Sequence, residues 1–242
     1  MKKFFNKLSK ILKKYFYNPK WRCIACGKEV FEGNFCEDCK KELPFNDGII
    51  CEHCGRKVKA SEQYCSTCKG ILVSIDKCRS AFNYAPPIST LIKRMKYDNC
   101  KYIAQILSEY LAPLYFKHYF NADILTYIPM TDKARKKRGY NQGQLLAQAT
   151  SQRVGVPVVE CLIKVKNTDR QAKLNRAERL KNLSGAFKVR DKKEIKDKTV
   201  LIIDDVTTTG ATAQAAAEKL KKAGAKMVYL LSVASVPPID NY

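Results

Sequence analysis

Fourteen residues near the end of the chain, Thr199 to Thr212 (TVLIIDDVTTTGAT), constrain the fold more than any others. Val200, Leu201, Ile202 and Ile203 form an unbroken apolar run, the pattern of a strand covered on both faces, as parallel strands between helices are. Asp204 and Asp205 follow at once, where such a strand would end. Three threonines, Gly210, Ala211 and Thr212 then lead into an Ala-rich helical run, Ala213 to Ala223. Backbone N–H groups and hydroxyls at a helix start can hold a phosphate, which the helix dipole favours. The carboxylates can accept hydrogen bonds from a vicinal diol or sit beside a metal ion. Strand, acid pair, hydroxyl loop and helix together make a place for a sugar phosphate.

A second feature dictates a separate small module. Cys23/Cys26, Cys36/Cys39, Cys51/Cys54 and Cys65/Cys68 are four Cys-x-x-Cys pairs, and Gly27 and Gly55 follow the second cysteine of the first and third. Glycine there suits the tight turn whose N–H groups point at thiolate sulfurs. Eight thiolates fill two closed tetrahedral Cys₄ sites, structural rather than catalytic. The segment is too small and polar to build a core, so metal binding supplies its folding energy. The spacing favours sequential pairing, 23/26 with 36/39 and 51/54 with 65/68, and leaves interleaved pairing open. His53 reads as exposed rather than a ligand, and Cys78, Cys100 and Cys161 read as small apolar residues.

Charge is unevenly distributed. The formal net charge is +22, of which residues 1–22 carry +8, residues 23–70 carry −1 and residues 71–242 carry +15. Such a balance attracts polyanions: nucleic acid, phosphorylated metabolites or an anionic membrane. Residues 2–18 alternate apolar and lysine positions at helical spacing, a basic amphipathic helix. It can lie on an anionic inner-membrane surface, dock in a partner's groove, or pack on its own protein. Lysines break its apolar positions, so it is not a secretory signal, and no stretch is apolar for long enough to span a bilayer. A cytoplasmic chain with reduced thiols is expected. Three segments follow: 1–20, the basic helix; 21–70, the cysteine module; and 71–242, an α/β domain.

Within that domain, strands are expected at Lys77–Tyr84, Ile124–Ile128, Val158–Val165 and Ala225–Val233, and helical patterns from Ile88 to Met95 and between Asn99 and Asp123. After the strand stopped by Pro129 comes a basic loop, Lys133 to Arg138, then Gly139 and a helix from about Asn141 to Arg153. A basic loop after a parallel strand is where an α/β sheet contacts anions. Lys166–Gly185 is a charged excursion, either a mobile lid over a site or a plain surface loop.

Three blocks carry a family resemblance: Leu91 to Tyr97 (LIKRMKY), Pro129 to Leu146 with Arg138-Gly139-Tyr140-Asn141-Gln142, and Gln171 to Phe187 followed by the Thr199–Thr212 motif. With the cysteine pairs, the chain resembles the ComF family, of the competence-associated ComFC type. These proteins join a double zinc ribbon to a type I phosphoribosyltransferase fold, a parallel sheet flanked by helices. The resemblance implies that Asp204 and Asp205 bind the ribose hydroxyls of phosphoribosyl pyrophosphate (PRPP) and help organise Mg²⁺. Thr208, Thr209, Gly210, Ala211 and Thr212 would wrap its 5′-phosphate. Arg138 would face the pyrophosphate, and Arg170, Lys173, Arg176 or Arg179 would close over it. It further implies two structural Zn²⁺ ions, a role in DNA uptake, single-stranded DNA as a partner, and a DNA helicase or translocase at the inner membrane. Two other classes fit the same residues: a metabolic phosphoribosyltransferase with an unidentified acceptor, and a zinc-ribbon adaptor that recruits a helicase.

Overall fold

The computed structural model describes residues 22–55, 58–59, 61–65, 68–69, 74–166 and 185–236, and of Lys137 the backbone only. The expected amphipathic helix at 2–18, the tail from Pro237 and nearly all of the 166–185 excursion lie outside the described residues. The chain divides into two compact units, between Leu43 and Pro44. That boundary separates the two cysteine knuckles, which the sequence placed in one 21–70 module.

The first unit holds one knuckle. Gly27, at φ +79°, donates to the Cys23 carbonyl at 2.8 Å, closing the turn its sequence position requires. Cys36 starts a short helix, α1 (Glu37–Lys41), and Phe35 is buried beside it in the chain.

The second unit opens with a segment laid along a sheet edge. Asn46 N–H donates to Ala81 at 3.0 Å, Asn83 N–H donates to Pro44 at 2.7 Å, and Phe45 bridges Phe82. The second knuckle follows, and then β1 (Lys77–Asn83), α2 (Ile88–Tyr97), α3 (Ile103–Lys117), β2 (Ile124–Tyr127), α4 (Asp132–Arg138) and α5 (Gln142–Val154). The rest is β3 (Leu162–Lys164), β4 (Phe187–Val189), β5 (Thr199–Thr207), α6 (Ala211–Lys222) and β6 (Met227–Ser235). A parallel sheet of order β1-β6-β5-β2 forms the centre, and β3 and β4 make a separate antiparallel pair. Val200–Ile203 are fully buried, as a strand between two helix layers must be. Ala213, Ala216, Ala217 and Leu220 bring α6 onto one face, since small side chains allow a close approach.

Three expectations change. Val158–Val165 is not one strand: Val158 makes a single bridge to Leu125, and only Leu162–Lys164 is extended and paired, with β4. Glu160, paired with Arg190 at 2.9 Å, breaks the apolar alternation between the two. The basic run Lys133–Arg138 is a helix rather than a loop. Its signals were present in the sequence: Thr131 caps by accepting from Ala134 N–H at 3.3 Å, Asp132 sits in the first turn, and Gly139 ends it at φ +82°. Finally, β5 does not end at the acid pair. It runs on to Thr207 because β6 pairs with it that far, Thr207 opposite Ser235.

Candidate functional site

The strand that does end there is β2. Its last pair with β5 is Tyr127 opposite Ile203, so Asp204 and Asp205 overhang on that side while β6 still supports them on the other. The connection after β2 leads through α5 to the Val158 bridge on one side, and that after β5 leads through α6 to β6 on the other. Connections that part in opposite directions open a crevice at the strands' carboxyl ends, where α/β sheets bind ligands. Here it is a cleft of about 280 Å³, lined by Ile128–Thr131, Asn141–Gly143, Lys164, Asp204 and Asp205.

Each wall of the cleft is set by local sequence. Asn141 caps α5, accepting from Gln144 N–H at 3.3 Å, and its amide donates to the Ile128 carbonyl at 2.9 Å, tying helix start to strand end. A Cβ at Gly143 would stand 3.3 Å from Asn141 Oδ1, 3.4 Å from Tyr127 Cβ and 3.5 Å from the Ile203 carbonyl, so glycine lets the first turn of α5 press onto the sheet. The acid pair is electrostatically unequal. Lys96, from the last turn of α2, pairs with Asp205 Oδ1 at 2.8 Å. Asp204 accepts the Asp205 N–H at 2.9 Å. Desolvation, then repulsion from Asp205, pushes Asp204 up to about 7, with Lys96 pulling the other way. Burial works against the Lys96 ammonium, but attraction to Asp205 outweighs it and leaves this lysine above its ordinary value.

Two donors line the cleft with the acids and have no hydrogen-bond partner among the described residues. Gln142 is 3 % exposed, and its Nε2 has no hydrogen-bond partner among the described residues. Lys164 is held below its ordinary value by desolvation alone, its ammonium 5.9 Å from the Phe187 ring centre. A buried donor costs free energy until something accepts from it, so a cleft with two such donors is built for an anionic ligand.

Of the residues expected at the site, Asp204 and Asp205 are in the cleft. Thr208–Thr212 come after that strand's end, with Gly210 at φ +73° as the α6 N-cap and Thr209 Oγ1 accepting from Ala211 N–H at 3.4 Å. Thr209, Gly210 and Ala211 border a separate, smaller cavity of about 40 Å³ on the side of the second knuckle. Arg138 does not line the cleft; its guanidinium lies 5.3 Å from the Tyr97 ring centre. Arg176 and Arg179, with Arg170 and Lys173, lie outside the described residues.

The eight paired cysteines gather sequentially, Cys23, Cys26, Cys36 and Cys39 in one group and Cys51, Cys54, Cys65 and Cys68 in the other, with the sulfurs of each group within 4.8 Å of one another. A tetrahedron of thiolates at the Zn–S distance has edges of about 3.8 Å. Cys26–Cys36 at 3.7 Å and Cys54–Cys65 at 3.6 Å match it. Interleaved pairing is thereby excluded, and both groups fit Zn²⁺.

Comparison with known proteins agrees with this architecture. Residues 141–240 match the phosphoribosyl transferase domain and residues 13–69 the double zinc ribbon domain. The chain is 30 % identical over 228 residues to Competence protein F of Haemophilus influenzae, covering 90 % of this chain and 98 % of that one. The chain belongs to the ComF family. It is also 27 % identical over 215 residues to the DNA utilization protein YhgH of Escherichia coli (85 % and 93 % coverage), and 28 % identical over 236 residues to Competence protein ComFC of Streptococcus pneumoniae (88 % and 99 %). The type I phosphoribosyltransferase fold and the double ribbon expected from the sequence are both present.

Reading the ComF chain as sequence missed two cleft residues and the lysine that pairs with Asp205. Lys96 sat inside a quoted block, but only the fold brings α2 against β5. Lys164 was taken for part of a longer strand. Gln142 closed the RGYNQ string, yet nothing in a string shows that its amide is buried and unpartnered. Among the described residues no helix is long and apolar enough to cross a membrane.

Proposed function

We propose that this ComF-family chain works in natural competence, binding PRPP or a related ribose phosphate in the β2/β5 cleft and single-stranded DNA on its basic surface, in the cytoplasm. The observation that carries the reading is that one cleft is lined both by acids, Asp204 and Asp205, and by donors, Gln142 and Lys164. A ribose carrying a diphosphate presents hydroxyls to the first and anionic oxygens to the second. Thr208–Thr212 at the α6 start would receive the 5′-phosphate. Asp204 is where Mg²⁺ arriving with the diphosphate would be held, offsetting the charge of the bound diphosphate. Lys96 holds Asp205 in place, and Gln142 and Lys164 would donate to the oxygens of the bound diphosphate. A DNA-translocating helicase and an anionic inner-membrane surface, met by residues 2–18, are the partners this reading implies.

Calorimetric titration with PRPP and Mg²⁺ tests the cleft. Wild type should bind, Asp204→Asn/Asp205→Asn should lose at least tenfold, and Lys164→Ala should weaken PRPP and inorganic pyrophosphate while sparing ribose 5-phosphate. No PRPP binding by the folded wild type sinks the proposal. Pyrophosphate release with any base, abolished by the double variant, would place the chain among catalysing transferases instead of binders.

A further inference from the structure

The face beside the cleft is neither acidic nor apolar. Residues 90–101 and 132–140, far apart in sequence, carry nine Lys or Arg, of which Lys96 pairs inward with Asp205 and Arg135 with Asp132. The fold joins them: Tyr140 O–H, just past α4, donates to the Met95 carbonyl in α2, and Arg138 lies over Tyr97. Two cations on this face are seated on tyrosine rings: Arg138 is 5.3 Å from the Tyr97 ring centre, and Lys101 is 4.9 Å from that of Tyr140. A ring orients a cation without neutralising it, so the positive charge stays available. Tyr97 is 71 % exposed and Tyr102 39 %, unusual for large rings. The last turn of α2 thus has two outputs from adjacent residues: Lys96 reaches inward to Asp205, and Tyr97 stands outward.

We infer that this α2/α4 face is where single-stranded nucleic acid binds, with Tyr97 as a base-stacking platform and the flanking cations tracking the phosphates. Exposed rings interleaved with unneutralised Lys and Arg are the combination that sequence-tolerant single-strand binding requires. A polyanion without bases would have no use for the exposed ring, and a duplex hides its base faces. The assignment rests on the single-stranded DNA binding proposed above and adds where it happens.

Fluorescence anisotropy of the full, zinc-loaded chain with a labelled 20-mer of thymidine, a matching abasic oligonucleotide and heparin tests it. Tyr97→Ala should weaken the thymidine strand about 5- to 100-fold, the range for loss of one stacked base, and leave heparin and the abasic strand unchanged. Tyr97→Phe should retain wild-type binding. Lys93→Gln should weaken all three probes modestly and lower the slope of log K against log salt by about 0.7, the value for one single-strand phosphate contact. Equal thymidine-strand binding by wild type and Tyr97→Ala overturns the assignment and leaves DNA binding standing elsewhere on the chain. Equal weakening of heparin also overturns it, as a charge or folding effect. Loss of binding to phosphatidylglycerol vesicles with DNA binding intact would make this a membrane face instead. No binding of the strand by wild type at low salt overturns both the assignment and the DNA reading it rests on.

Discussion

The two cysteine knuckles have the same ligands and the same glycine after a Cys-x-x-Cys pair, yet their surroundings differ. In the first, Cys26 is exposed, and a Cβ on Gly27 would meet nothing within 4 Å. In the second, Cys51, Cys65 and Cys68 are buried, and a Cβ on Gly55 would stand 2.8 Å from the Cys78 carbonyl in β1. Arg79 of β1, itself 6 % exposed, donates to the Glu52 carbonyl at 3.3 Å and pairs with its carboxylate at 2.8 Å. Asn46 adds a bond to the Gly55 carbonyl at 2.8 Å. His53, Cys54 and Cys68 share the small cavity with Thr209 and Gly210 of the loop before α6. His53 thus lies against the loop before α6, its Nδ1 buried without a partner among the described residues, and not out in solvent as its sequence position suggested. One knuckle completes its own small unit; the other is part of the wall of the domain that holds the cleft. Sequence similarity between repeats therefore says little about what each repeat supports.

The largest expected effect removes a ligand from each. Cys68→Ser should lower zinc from two ions to one and drop the main melting transition, since the zinc site is folding energy for a wall of the cleft domain. A loss of at least about 3 kcal/mol, or about 6–12 °C, is expected. Cys26→Ser should give the same zinc stoichiometry with the main transition nearly unmoved. Equal melting temperatures for the two variants would erase the distinction. The glycines give a finer version. Both sit in the left-handed region, where a Cβ costs about 1–2 kcal/mol. Gly27→Ala should cost only that, whereas Gly55→Ala adds a clash with β1 backbone worth about 1–3 kcal/mol more. Thermal melts of the pair, with PRPP titration as a second readout, should show Gly55→Ala weakening both stability and binding and Gly27→Ala sparing the cleft.

How much of this was legible in the sequence follows from what each feature depends on. Cys-x-x-Cys spacing, the apolar run 200–203 and the Thr-Gly turn are local, and all three survive in the structure. The seat of the second knuckle was not legible, because Gly55 and Arg79 meet only through tertiary packing. The acid pair was found, but its setting was misjudged: the strand's own pattern cannot show that β2 stops at Tyr127, opposite Ile203, while β6 continues. Arg138 was assigned to the pyrophosphate by the family resemblance, within a run read as a loop. A helix in place of a loop turns that side chain toward Tyr97. Sequence reading succeeded where chemistry is carried by neighbours in the chain and failed where a partner strand or helix decides it.

The smallest effect concerns pH, where knuckles and cleft should respond in opposite senses. Thiolate ligands gain protons on acidification, so zinc is held less tightly as pH falls, and the exposed Cys26 site should release it to a chelator before the buried Cys68 site. Asp204 acts the other way. Its carboxyl is raised from 3.8 to about 7 in the folded chain, so the folded state binds the proton more tightly than the unfolded one. The stabilisation from that proton is fully present below about 3.8 and is lost as pH rises through about 7. Asp204→Asn stays neutral at every pH. Its melting temperature relative to wild type should therefore rise between pH 5.5 and pH 8, without added Mg²⁺. A change on the order of 1–2 kcal/mol, about 2–8 °C, follows for a group that keeps some contact with water. A difference that is the same at both pH values would mean that Asp204 is ionised throughout, and that Lys96 neutralises both acids rather than Asp205 alone.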